Sequence, residues 1–172
     1  MENNMNAAEA VGSVPTWMEL PGVPLRMILQ PILERVAKRI ATRHPGLFDR
    51  ISPYQKADFI IVANGLPFAL HLRPDSSAPL LRAVSLSQLP RHDARIEGPF
   101  LVLLNLVDGE SDGDAAFFSR DLIISGNTEA VVSLRNALDD VDGSIAQEAA
   151  DVFGPPGRAL LDFLRRRSSR NA

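Results

Sequence analysis

Three histidines and two knots of acid are the groups in this 172-residue chain whose types could do chemistry. A general base or metal ligand among the histidines would need a partner at ligand spacing. His44 sits in an H-P-G turn, His71 on the polar face of an alternating segment and His92 in a loop, each without such a partner. All three are read as solvated surface residues. The acidic stretch DGESDGD at 108–114 has the residue types of a calcium loop. It lacks the terminal glutamate and helical flanks of an EF-hand, so it reads as a solvated loop. Asp139, Asp140 and Asp142 crowd a helix C-terminus, where negative charge is mildly unfavourable, and are read as a solvated helix end. Cysteine is absent, which removes thiolate nucleophiles, thiolate metal sites and disulfides. No G-x-S-x-G elbow, H-E-x-x-H pair, phosphate loop or dinucleotide fingerprint occurs. The expectation is a protein that is not an enzyme and has no catalytic residue, metal or cofactor.

The elements that would position any site are better marked. Leu25, Ile28, Leu29, Ile32, Val36 and Ile40 recur at helical spacing, and His44-Pro45-Gly46 should stop that helix. Pro31 falls inside the pattern, which predicts a short first piece and a main helix starting near it. DFIIVA (58–63), the Asn64-Gly65 hairpin signal and the alternating LPFALHLR predict two strands, with Phe68, Leu70 and Leu72 on one face. PDSSAP turns the chain into a third strand, LLRAVSL, and a shorter one is expected at 94–97. Gly98-Pro99 opens an apolar helix over 100–107. A last strand at 121–125 leads through Gly126 to Asn127, the N-cap of a helix with Val131, Leu134, Leu138 and Val141 on one stripe. Ser144 and Gln147 form a capping-box pair for a further helix. GPPG breaks that helix, and ALLDFLRRR makes a final short one with a basic tail. The fold class is therefore α+β, an antiparallel sheet of about five strands covered by helices, with N- and C-terminal helical extensions.

Composition bounds the function. The chain length suits one domain with a real core. The 45% apolar content excludes wholesale disorder, and a net charge of −3 argues against nucleic acid as partner. The first residues carry no basic, apolar export signal, and the densest apolar run, FLVLLNLV, is far short of the roughly 20 residues that cross a bilayer. A cytoplasmic location is expected, with peripheral contact at the inner membrane face left open. Residues 1–24 read as a disordered or irregular leader in which Trp17 could anchor, 25–141 as the folded domain, and 142–172 as a helical extension and basic tail. The arginines at 165–170 could touch anionic lipid, nucleic acid or an acidic partner, and those on the 25–43 helix a membrane surface, but a solvated tail and a sheet-covering helix are the preferred readings.

One segment is more specific. DAAFFSR (114–120), DLIIS (121–125), GNTE (126–129) and AVVSLRNALDDV (130–141) resemble the end of the sterol carrier protein type-2 fold. In length, in its leading amphipathic helix and in its trailing helices, the chain is similar to the bacterial UbiT family of accessory lipid-binding factors in oxygen-independent ubiquinone biosynthesis. GNTE stands where that family more usually has GDTE, a mild change because Asn and Asp both cap well. The basic tail is shorter than the resemblance would suggest.

The resemblance implies an apolar ligand, a lipid or prenylated quinone intermediate, held between sheet and helices. It implies as partners the ubiquinone-biosynthesis enzymes, including the iron–sulfur, peptidase-like hydroxylase pair. Enclosing about ten carbons would offer ~8 kcal/mol before ordering costs, near micromolar affinity. On this reading Phe100, Leu103, Leu104, Phe117, Phe118, Leu122, Ile124, Leu134 and Leu138 line the lipid site. A general fatty acyl or phospholipid carrier, and an interaction module whose apolar residues fill a closed core, are the alternatives.

Overall fold

The computed structural model describes residues 25–108, 121–141 and 144–168. The expected leader with Trp17, the acidic loop beyond Asp108, the D-x-x-F-F-x-R segment and the last four residues lie outside them. Helix α1 (Leu25–Arg43) is one helix that runs through Pro31. The missing amide strands the carbonyl of Met27, but Met27 and Pro31 both face solvent, so water can satisfy it without breaking the helix. His44-Pro45 ends α1 as expected, yet Pro45 opens α2 (Pro45–Arg50) at once, at the helix position where a proline costs nothing. A 3-10 turn (Tyr54–Lys56) then delivers the chain to the sheet.

Strands β1 (Phe59–Asn64), β2 (Phe68–Arg73) and β3 (Leu80–Ser85) form an antiparallel meander. β4 (Ala94–Pro99) returns to the other side of β1 and pairs with it in parallel, and β5 (Ile123–Gly126) adds an antiparallel edge. The order is β3-β2-β1-β4-β5, a five-stranded α+β sheet as expected and antiparallel but for the β1–β4 pair, which was not expected. That pairing has a topological cause. β3 ends beside Phe68 and β4 starts beside Phe59, at opposite ends of the sheet, so residues 86–93 must cross one face to connect them. This crossing segment covers the back face, where Leu89 and Val84 pack on the buried Ile60, Val62 and Ala69.

The front face carries the helices. β4 runs straight into α3 (Phe100–Asp108). After β5, Asn127 caps α4 (Thr128–Asp139), its side chain accepting from the Ala130 amide at 3.0 Å. Ser144 caps α5 (Ile145–Val152), accepting from the Gln147 amide at 2.9 Å. The Gln147 side chain does not complete the expected capping box; its amide nitrogen donates to Asp151 and its oxygen accepts from Arg165. The final helix α6 (Pro155–Ser168) absorbs both prolines of GPPG in its first turn and is longer than expected. The main core joins Phe48, Ile51, Phe59, Ile96, Val131 and Leu134, so α2, the central strands and α4 share one buried seam.

Candidate functional site

Helix α1 does not lie flush on the sheet. Between them is a cavity of about 330 Å³. Its roof is Leu33, Val36, Ala37 and Ile40 of α1, an i, i+3, i+4, i+7 stripe. Its floor is Ile61, Leu70, Leu72 and Leu81. Cross-strand register puts these on one face, because Ile61 pairs with Leu70 and Leu72 with Leu81. Leu104 and Val107 of α3, Leu134 and Leu138 of α4, and Ile145, Ala146, Ala149 and Phe153 from α5 and its end close the walls. Among the described residues one lining residue is polar, Arg73, and its guanidinium is already engaged. Its Nε donates to Asp58 Oδ1 at 3.0 Å and an Nη to Oδ2 at 2.6 Å. As lined by the described residues, the cavity is apolar, which suits a hydrocarbon. If a methylene takes about the ~30 Å³ of a water molecule, roughly ten carbons fit.

Of the residues expected to line a lipid site, Leu104, Leu134 and Leu138 do border this cavity. Leu103 and Ile124 pack instead against the main core, and Phe100 and Leu122 are half-buried outside the lining. A methyl of Leu122 presses on Gly98, where an added Cβ would come within 2.5 Å of it. Phe117 and Phe118 lie outside the described residues. The roof and floor were absent from the expected lining, although the α1 stripe and the Leu70/Leu72 alternation were both visible. What was not visible is that α1 packs on β3 and leaves space beneath it.

Two polar clusters flank the cavity, and both correct the sequence reading. His71 is buried, at 3% exposure, not solvated. The crossing segment covers the face on which alternation had put it in water. Arg82 Nε can only donate, so His71 Nδ1 accepts that bond at 3.1 Å and Nε2–H donates to Asp58 Oδ1 at 2.6 Å. Burial pushes the Asp58 carboxyl up, but hydrogen bonds from Arg73 and His71 outweigh it and hold the group below the usual carboxylate range. Among the described residues no three His, Asp or Glu side chains gather as a metal site would require.

The second cluster joins the C-terminal helices to the domain. Asp108, expected in a solvated loop, is the buried last residue of α3. It accepts two bonds from Arg165 of α6 and one from the Ser144 hydroxyl at 2.5 Å. Burial again pushes the carboxyl up, and Arg165 and Ser144 overcome it, so its pKa lies below the ordinary value. Arg165 is therefore a structural clamp, while Arg166 and Arg167 face solvent. His44 Nε2 meets Glu148 at 2.9 Å, tying the end of α1 to α5. The exposed acids at 139 and 140 are paired, Asp139 with the half-buried Arg135 and Asp140 with the exposed Arg50, and Asp142 lies outside the described residues.

Residues 45–139 match the family model described as the SCP-2 sterol transfer family. A solved structure titled a UbiJ-SCP2 ubiquinone synthesis protein superposes with a TM-score of 0.53 at 17% identity, over 68% of this chain and 93% of that one. A crystal structure of sterol carrier protein 2 gives 0.46 at 12% identity, over 66% and 97%. The apo form of sterol carrier protein 2 from Yarrowia lipolytica gives 0.42 at 13%, over 70% and 94%. No curated protein matches the sequence. No helix among the described residues is long and apolar enough to cross a membrane.

Proposed function

The chain belongs to the SCP-2 sterol transfer family, and we propose that it is a non-catalytic lipid-binding accessory protein of ubiquinone biosynthesis. The observation that carries this reading is the apolar cavity between α1 and β1–β3, whose one polar lining residue among those described is neutralised by Asp58. A closed interaction module would have no use for such a volume. Burial of roughly ten methylenes supplies affinity, and the rest of a longer chain would extend beyond the cavity. The link to quinones is supported by the length, leading amphipathic helix and trailing helices that resemble the UbiT family, and by the fold shared with a structure described as a ubiquinone synthesis protein. On this reading the cavity holds the prenyl tail of an intermediate and presents it to the modifying enzymes. The iron–sulfur, peptidase-like hydroxylase pair is among them, and the protein works in the cytoplasm at the inner membrane face.

A second reading has its own support. Among the described residues the cavity offers no free head-group donor, because the Arg73 guanidinium is spent on Asp58, and this favours a general carrier of fatty acyl or phospholipid chains. Mass spectrometry of an organic extract of the natively expressed protein separates the two. Stoichiometric prenylated phenols or quinones support the biosynthetic role, and phospholipid or fatty acid alone supports the general carrier. A repeatedly empty extract under mild purification overturns both.

A further inference from the structure

The large cavity has a neighbour. Helices α5 and α6 enclose an apolar groove of about 280 Å³ on their outer side, and Ala149 and Phe153 belong to the walls of both spaces. The two helices approach closely because residue 157 is glycine; a Cβ there would come within 2.4 Å of the Ala150 carbonyl. Phe153, at the corner between them, is 38% exposed, although it also borders the interior. Farther along α6, Leu161 and Leu164 turn inward while Leu160 and Phe163 are more than half exposed. Leu160, Phe163, Arg166 and Arg167 fall at three-, four- and seven-residue spacings, hence on one outer face. Both arginines are exposed, and the helix carries one acid, Asp162. Large apolar side chains in water beside cations, on a chain whose net charge is −3, are the pattern of a surface that meets anionic lipid.

We propose that the outer face of α5–α6 docks on an anionic bilayer, and that Phe153 stands between that bilayer and the cavity as the passage for the lipid. The proposal rests on the cavity being a lipid site. Arg165 is held inward by Asp108, so the clamp orients the helix and leaves Leu160, Phe163, Arg166 and Arg167 outward. The docked helix lies flat, its arginines at the phosphate level and its apolar residues in the interface. Lipid reaching the groove then needs only a turn of the Phe153 ring to contact the Ala149 wall inside.

The test is flotation of the full chain with vesicles of phosphatidylcholine, alone or mixed with phosphatidylglycerol, beside transfer of a fluorescent lipid between vesicles. Two double variants are compared, L160S/F163S and R166E/R167E, with circular dichroism and co-purified lipid as controls. All four residues are exposed, so folding should be unchanged, and R166E/R167E, outside the groove that Leu160 helps line, should keep its lipid content. Binding to the mixed vesicles should fall by more than roughly twenty-five-fold in R166E/R167E, since losing each arginine charge alone costs about fivefold and the glutamates add repulsion, and the transfer rate should fall with it. Wild-type protein that ignores anionic vesicles, or binds neutral ones equally, overturns the proposal even if it retains lipid. So does a finding that L160S/F163S converts a dimer to a monomer while leaving vesicle binding intact. Vesicle binding by a protein that retains no lipid would uphold the docking face but overturn the lipid-site reading and the passage.

Discussion

Arg165 grips Asp108 with both ends of its guanidinium, Nε to one carboxylate oxygen at 2.8 Å and an Nη to the other at 2.6 Å. The residues are 57 apart in sequence, and the pair fastens the last helix to the end of α3. Ser144, the cap of α5, donates to the same carboxylate. One acid thus organises three helix ends.

Removing the clamp leaves a buried carboxylate without its cation. Arg165→Ala should cost about 2–3 kcal/mol, somewhat below the value for a fully dry pair because the guanidinium is 23% exposed. Urea denaturation should show this as a lower midpoint, and heating as a drop of roughly 5–10 °C. An unchanged midpoint would mean that the C-terminal hairpin is not fastened through this pair.

The same carboxylate, together with Asp58, sets an acid limit. Burial raises both groups, and bonds from Arg165 and Ser144 in one case, and from Arg73 and His71 in the other, bring them below the ordinary value. A folded pKa below the unfolded one gives stability that is complete above the unfolded pKa, about 3.9, and is lost as pH falls through the folded value. Urea midpoints should be level near neutrality and decline below roughly pH 4. The D58N/D108N variant should start lower and decline less steeply.

Two adjacent leucines face different fates. Leu104 borders the cavity and Leu103 packs against the core. Leu104→Trp should fill the space and reduce co-purified lipid with little change in stability. Leu103→Trp should overpack, costing about 1–3 kcal/mol, with lipid content retained in the folded fraction. Extracted lipid per folded protein reads the difference, and equal behaviour of the two would show the cavity to be placed wrongly.

Gly126 and Gly46 form a control pair for backbone demand. Gly126 has φ +83°, and a Cβ there would come within 2.3 Å of the Asp93 carbonyl, which also accepts from the Asn127 amide. Gly126→Ala should cost more than about 2 kcal/mol through strain and loss of the β5–α4 turn. Gly46, in α2, has nothing within 4 Å of an added Cβ. Gly46→Ala should be neutral or stabilising by up to ~1 kcal/mol. Denaturation midpoints compare them directly.

The sequence by itself determined most of the elements and much of their order, though not α2 or the continuity of α1 through Pro31. Local rules sufficed where the cause was local. Asn127 and Ser144 cap because a short oxygen-bearing side chain reaches an amide two or three residues ahead, and Asn64-Gly65 turns because Gly65 accepts φ +89°. The motif at 114–141 carried the family because it bundles several such local demands. Tertiary structure decided what depends on residues far apart. The crossing at 86–93 made β4 parallel to β1 and buried the back face, which took His71 out of water and gave it Asp58 and Arg82. The meeting of α3 with α6 turned Asp108 from a loop acid into a buried anchor and turned Arg165 inward. The docking of α1 over β3 moved the cavity to the α1 stripe and the β1–β3 floor, while Leu103 and Ile124 went into the core. Periodicity says which face of an element is apolar; only packing says whether that face meets another side chain or encloses a space.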